Sequence, residues 1–100
     1  MGVSYADKPK QPWEEIQDHI EFSGRLAALD TITAKTVTGY NAMTGAVDNS
    51  IVSSDTISGT KILFVYKGGI DGGIYKISFK ATSNAGQKVE EDFIFEVREY

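Results

Sequence analysis

Gly68-Gly69-Ile70-Asp71-Gly72-Gly73-Ile74-Tyr75-Lys76-Ile77 is the stretch that decides the fold of this chain. Four of its first six residues are glycine. Glycine inside a regular element costs conformational entropy and packs nothing, so the stretch cannot lie within a strand or a helix. It predicts a tight corner between two strands, Lys61–Lys67 before it and Ile74–Thr82 after it.

The corner carries the pattern Asp71-x-Gly-x-Tyr75-x-Ile77, which has the spacing of the tyrosine corner in immunoglobulin-like sandwiches. Antibody domains have a cysteine where this chain has Ile77. A tyrosine buried at such a corner is expected to donate its hydroxyl to backbone a few residues upstream and so pin the crossover between sheets. The residues predicted to form this structural corner are Gly68, Gly69, Asp71, Gly72, Gly73 and Tyr75.

Strands on both sides of the corner are predicted from their hydrophobic patterns. Lys61–Lys67 is a continuous apolar run between lysines and is predicted to be a core strand. Ile74–Thr82 and Val89–Val97 alternate apolar with polar residues, and Ser83–Gln87 between them has the composition of a hairpin loop. Lysines on one of these strands and acids on the next are expected to form cross-strand pairs.

The middle of the chain has weaker patterns. Thr31–Tyr40 is rich in threonine, isoleucine and valine and is predicted to be a strand with a bulge near Val37. The predictions that follow are a turn at Asn41–Gly45, a weak strand at Val47–Val52 and a polar connection at Ser53–Gly59 that could hold a short edge strand.

The segment that follows Trp13 is ambiguous between helix and strand. Pro12 could precede the first turn of a helix, but apolar residues alternate with polar ones up to Phe22, which favours a strand, most clearly over His19–Ser23. After that, Leu26 and Leu29 lie three residues apart, which predicts a single helical turn that closes one end of the core.

Together these patterns predict six or seven strands with little helix, an all-β, immunoglobulin-like antiparallel sandwich over residues 14–100. Residues 1–13 are polar and contain Pro9 and Pro12, which disfavour a helix or a central strand. We interpret them as an extended arm that is disordered or docked on a partner. Trp13 either packs this arm against the domain or inserts into a partner, so it is the candidate partner contact.

Composition excludes several classes of function. The chain has no cysteine, so disulfides and thiolate zinc sites are unavailable, and its single histidine, His19, is predicted to lie at a solvated strand position. No second acid lies within five residues of Asp71, so that residue is interpreted as a turn cap rather than a calcium ligand. The sequence predicts no catalytic residues, no metal ligands and no cofactors.

The net charge of −4 and the presence of only two arginines predict no binding to nucleic acid. No apolar run approaches the roughly 20 residues that a membrane-spanning helix needs. The first residues show no secretion signal.

Several short motifs resemble a family of small tailed-phage and prophage proteins. They are Asp7-Lys8-Pro9, Ile20-Glu21-Phe22-Ser23, Leu26, Asp30-Thr31-Ile32 and, later, Gly68-Gly69-x-Asp71-Gly72-x-x-Tyr75, Thr82, Gly86 and Val97. The family is described as fibre–tail adaptor-like, an immunoglobulin-like virion component, and the resemblance covers most of residues 7–98.

The resemblance implies a non-enzymatic, prophage-encoded structural module at the tail, neck or fibre junction of a virion, made in the bacterial cytoplasm. Its implied partners are other phage structural proteins, and an oligomer is expected in the assembled particle. A carbohydrate- or host-binding module of a bacterial surface protein is the alternative. That function needs exposed aromatic side chains, for which the candidates are Tyr40, Tyr66 and Tyr100.

Overall fold

A computed structural model describes residues 2–100 of the chain. These residues form seven strands, and short 3-10 turns at Ser23–Arg25 and Asn49–Ile51 are the only helical pieces among them. The strands are β1 (Gly2–Tyr5), β2 (Ile16–Glu21), β3 (Ile32–Asn41), β4 (Val52–Ser58), β5 (Lys61–Tyr66), β6 (Ile74–Ser83) and β7 (Lys88–Glu96).

The strands form two sheets that pack face to face. One sheet has the order β1-β7-β6-β3 and the other β2-β5-β4. All neighbours are antiparallel except β1 and β7, which are parallel, so the prediction of an antiparallel sandwich holds for every other pair. The predicted all-β sandwich is confirmed, and its strand order is compatible with an immunoglobulin-like arrangement.

Aromatic side chains from both sheets build the core. The Phe64 ring of β5 lies with its centroid 4.8 Å from that of Phe79 on β6 and 5.1 Å from that of Phe93 on β7. The Tyr66 and Phe95 rings lie 4.9 Å apart. These spacings are those of favourable tilted aromatic contacts. Because strand side chains alternate between faces, the period-two pattern of β6 and β7 places one side chain in two in this core.

β5 lies between β2 and β4, so the predicted core strand is the centre of its sheet. Ile62, Phe64 and Tyr66 point into the sandwich and are buried. Leu63, on the opposite face, is 41% exposed. The apolar run is therefore buried on one face and half-covered on the other.

Two local predictions in the first half of the chain are wrong. The bulge of β3 lies between Ile32 and Ala34 rather than near Val37, which keeps its place in the ladder opposite Phe79. Leu29 does not close the core: it is 102% exposed with a φ of +67°, and only Leu26 of that turn packs against the core.

The strand after the middle turn also begins later than expected. β4 runs over Val52–Ser58, so the segment read as a polar connection is the strand, and the end of the predicted weak strand is a 3-10 turn. Polar side chains suit β4 because it is an edge strand with one solvated face.

Charged residues of β6 and β7 stand opposite each other, but the ion pairs form elsewhere. Lys80 faces Glu90 in the ladder, while the Glu90 carboxylate accepts a hydrogen bond from the Ser78 hydroxyl at 3.1 Å. Ion pairs instead join Arg25 to Glu91 and Lys35 to Asp55, and each connects separate elements.

The amino-terminal segment lies along the sandwich of its own chain. β1 pairs with Glu91–Ile94 of β7. The Lys10 N–H then donates to the Glu96 carbonyl at 2.9 Å, and the Arg98 N–H donates to the Lys10 carbonyl at 2.8 Å. The described part of the predicted arm, residues 2–13, is therefore held by main-chain hydrogen bonds to β7 and the residues after it, where a disordered or partner-docked arm was expected.

Candidate protein-interaction site

The glycine corner closes around a buried tyrosine. Tyr75 is buried at the start of β6, and its hydroxyl accepts a hydrogen bond from the Ile70 N–H at 3.0 Å. The direction of this bond is opposite to the expected one, in which the hydroxyl donates. The contact ties the middle of the corner to the core strand that follows it.

Two of the corner glycines are required by close packing. A Cβ atom on Gly69 would lie 2.6 Å from Val97 Cγ2 and 2.7 Å from the Tyr75 ring, and one on Gly73 would lie 2.7 Å from the same ring. Gly69 also has a φ of +84°, which side chains other than glycine rarely adopt. By contrast, a Cβ atom on Gly72 would meet open space.

Asp71 ties the corner to the carboxyl-terminal residues. Its Oδ1 accepts a hydrogen bond from the Glu99 N–H at 2.9 Å, so it fastens the end of the chain instead of capping its own turn. The Gly72 N–H donates to the Val97 carbonyl at 2.8 Å, and the Val97 N–H donates to the Gly73 carbonyl at 2.9 Å. The corner is therefore hydrogen-bonded on both sides.

Trp13 stands at the tip of a closed turn made by residues 11–14. The Glu14 N–H donates to the Gln11 carbonyl at 3.0 Å, and the Glu14 carboxylate accepts from the Gln11 N–H at 2.7 Å. Pro12 occupies the second position, where its fixed φ favours a turn. The Trp13 side chain is 92% exposed, so it does not pack the segment against the domain.

A buried lysine supports this turn from below. Lys10 is fully buried, and its Nζ donates to the carbonyls of Gln11 and Pro12 at 2.7 and 3.2 Å. Burial lowers the pKa of this ammonium, and the carboxylates of Glu14 and Glu15 act in the opposite direction. Because Lys10 binds two of its carbonyls, the turn holds the Trp13 indole in a defined position.

Exposed apolar side chains concentrate at the end of the sandwich that contains the corner and this turn. We call it the corner end; it comprises the connections 6–15, 42–51 and 67–73 together with the residues after β7. Five of the ten large hydrophobic residues that are exposed among residues 2–100 lie there. They are Trp13, Met43, Val47, Ile70 and Tyr100.

The far end of the sandwich comprises the connections 22–31, 59–60 and 84–87. Leu29 is the exposed large hydrophobic residue of the described chain that lies in these connections. The sequence made Trp13 a candidate partner contact and did not make Ile70 one. A signal for Ile70 existed, since an apolar residue between two glycine pairs at a tight corner has no strand face to bury it.

The corner end is also rich in acids near the start of β2. Burial raises the pKa of the Tyr66 hydroxyl, and the carboxylates of Asp18, Asp7 and Glu14 raise it further. Tyr66 itself is buried, which removes it as a candidate for sugar binding.

The other proposed chemical residues are ordinary surface groups. Tyr40 is half-buried with the Lys76 Nζ 4.9 Å from its ring centroid, and the Tyr100 hydroxyl donates to the Pro9 carbonyl. His19 is exposed, with its Nδ1 4.0 Å from Asp18 Oδ1. Across residues 2–100 there is no cluster of three or more histidine or acidic side chains suited to a metal ion, and no helix long and apolar enough to cross a membrane.

The fold and this end define a small all-β sandwich that presents apolar side chains on tightly held loops. The model of the family described as Podophage GP4 fiber-tail adaptor protein gp77 matches residues 10–96. The chain belongs to this family, whose role is structural, and the resemblance seen in the sequence is confirmed. No curated protein matches the chain.

Proposed function

We propose that the chain is a non-enzymatic virion component that joins other phage structural proteins by direct contact through its corner end, with Trp13 as the anchor. The observation that carries this proposal is the 92% exposure of an indole on a closed, internally bonded turn. Tryptophan is enriched among the residues that dominate binding energy in protein interfaces. The adaptor family supplies the class of partner.

Rigidity is what makes this side chain suited to binding. An interface side chain held in place before association loses less conformational entropy when it binds. The bonds from Lys10 and Glu14 to the turn provide that restraint. In an assembly with several copies, modest contacts of this kind multiply through symmetry.

The test uses particles of the phage that encodes the chain, assembled without it, and the purified protein added back. We expect the wild-type protein to sediment with the particles and to label one fixed point by immunogold electron microscopy. Trp13→Ala is expected to weaken binding by about 2 kcal/mol or more, because hot-spot residues contribute on this scale. Leu29→Ala, which removes an exposed apolar side chain from the far end, is the matched control.

Failure of the wild-type protein to bind, or gold on the cell envelope and none on particles, would reject the adaptor role. It would favour a surface-binding module instead. Equal loss of binding in Trp13→Ala and Leu29→Ala would reject the corner end as the contact surface. Both variants should unfold at the wild-type urea concentration, since neither side chain is buried.

A further inference from the structure

The edges of the two sheets are not equally protected. β3 is covered at its carboxyl-terminal end: the Asp48 N–H donates to the Gly39 carbonyl, the Gly39 N–H donates to Asn49 Oδ1, and the Asn41 N–H donates to the Ala46 carbonyl. β4 has a register shift between Ser53 and Thr56, with a φ of +56° at Ser54. Coverage and bulges are both devices that keep an edge from pairing with another strand.

β2 lacks both devices. It pairs with β5 without a register shift over all six residues, Ile16–Glu21, and its other side faces no strand. It contains no proline. A straight, regular edge of this length offers main-chain groups for pairing with another extended segment.

The register shows which main-chain groups are free. The Phe22 N–H donates to the Thr60 carbonyl, and bonded pairs alternate along an antiparallel ladder. The even-numbered residues of β2 therefore bond to β5, while the N–H and C=O groups of Gln17, His19 and Glu21 point outward. Among the described residues, one hydrogen bond involves these outward groups: the His19 N–H donates to Asp18 Oδ1.

The charge of β2 and of the residues next to it in sequence is one-sided, although Lys61 of β5 stands opposite Glu21. Residues 11–24 contain four acids and no lysine or arginine; the acids are Glu14, Glu15, Asp18 and Glu21. Opposite charges on paired strands stabilise a sheet and like charges oppose pairing. The edge therefore suits a strand that carries basic residues.

We propose that the β2 edge accepts an extended, basic segment of a partner protein, which adds a fourth strand to the β2-β5-β4 sheet. The inference rests on the proposed function, and it assigns the partner's chemistry and its mode of docking. Trp13 lies three residues before β2, so the anchor and the edge are neighbours in the chain. Main-chain hydrogen bonds along the edge give affinity, while alternate side chains and the indole give specificity.

A second copy of the chain is a poor occupant for the same edge. Two β2 strands paired along this edge would bring together two segments that each carry four acids and no lysine or arginine. Like charges on neighbouring strands are destabilising. The acids thus favour a different, basic partner over self-association.

The deciding experiment compares Gln17→Pro with Gln17→Ala in the particle-binding assay described above. Proline removes the outward N–H of Gln17 without touching a bond to β5, and the residue before it already has an extended conformation that proline tolerates. We expect Gln17→Pro to bind about tenfold more weakly than Gln17→Ala, since a lost hydrogen bond leaves its acceptor in the partner unpaired. Equal affinity of the two variants would overturn the inference.

Amide hydrogen exchange on the wild-type protein gives an answer even if Gln17→Pro does not fold. In the particle-bound state we expect slower exchange at the outward amides of Gln17 and Glu21, and unchanged exchange at the outward amides of Lys35 and Val37 on the uncovered part of β3. Unchanged exchange along β2, or protection on β3, would overturn the inference. If the wild-type protein binds particles and Trp13→Ala binds more weakly, the adaptor role stands even when the β2 edge shows no protection. Failure of the inference can therefore be told apart from failure of the proposed function.

Discussion

The two ends of the sandwich close the same core with different kinds of residue. At the corner end, glycines and Tyr75 hold loops that expose apolar side chains. At the far end, hydrogen bonds from loop backbone to Asp30 close the core, and Leu29 is the one large hydrophobic side chain that the described connections expose. The difference shows that closing a sandwich does not require several exposed large apolar side chains, so those at the corner end call for a separate explanation in binding.

The same packing that closes the corner end also fixes its surface. Ile70 is 70% exposed, yet its N–H is bonded to the buried Tyr75 hydroxyl. A substitution of a buried residue that holds the corner should therefore lower both the free energy of unfolding and the affinity for the partner. A substitution of a buried residue at the far end should lower the free energy of unfolding alone.

The largest expected effect comes from Gly69→Ala. The added methyl group would overlap Val97 and the Tyr75 ring at a residue with a positive φ. Overpacking of a core typically costs 1–3 kcal/mol, and the left-handed backbone adds about 1 kcal/mol, so we expect a loss of roughly 2–4 kcal/mol. Urea unfolding monitored by circular dichroism measures the free energy of unfolding.

Gly72→Ala is the matched control for that measurement. Gly72 has a φ of +86°, close to that of Gly69, but its Cβ would meet open space. This variant should lose only the backbone contribution, about 1 kcal/mol. If the two variants unfold at the same urea concentration, close packing around Tyr75 is not what holds the corner.

A smaller effect is expected from Tyr75→Phe. The ring contacts with Phe95 remain, but the Ile70 N–H loses its acceptor. A lost hydrogen bond of this kind costs about 1 kcal/mol, and the freed corner should also bind particles less tightly than wild type. Full stability together with full binding would mean that the hydroxyl does not restrain Ile70.

Local pattern was enough to predict the corner and the strands around it. Four glycines within six residues, close to Tyr75, are compatible with few structures other than a tight corner. The alternation of apolar and polar residues in β6 and β7 fits only strands that are buried on one face. Trp13 became a candidate contact because a free indole is unusual in a polar segment. These signals are contained within a few neighbouring residues.

Features that depend on distant parts of the chain were missed. The pairing of β1 with β7 is parallel and joins residues about 90 positions apart, so no local pattern encodes it. The burial of Lys10 depends on the carbonyls of the turn that folds back over it. β4 looks like a connection because its polar residues suit an edge, which is visible only once the sheet order is known.

The smallest effect tests the far end and depends on pH. The Ser83 hydroxyl, followed by the backbone N–H groups of Ala85, Thr31 and Asn84, lowers the pKa of Asp30 below its usual value of 3.8. A lowered pKa in the folded state means that the carboxylate stabilises the fold above the usual value, and that this contribution is lost as the pH falls through the folded-state pKa. Asp30→Asn keeps an acceptor oxygen but cannot ionise.

We therefore expect Asp30→Asn to be less stable than wild type at pH 7 and to approach wild-type stability near pH 3. Urea unfolding at the two pH values measures this difference. Because the far end presents no anchor, binding of Asp30→Asn to particles at pH 7 should equal that of wild type. If the difference in stability between Asp30→Asn and wild type is the same at both pH values, Asp30 contributes through its shape and not through its charge. If Asp30→Asn binds particles more weakly than wild type, the contact surface includes more than the corner end.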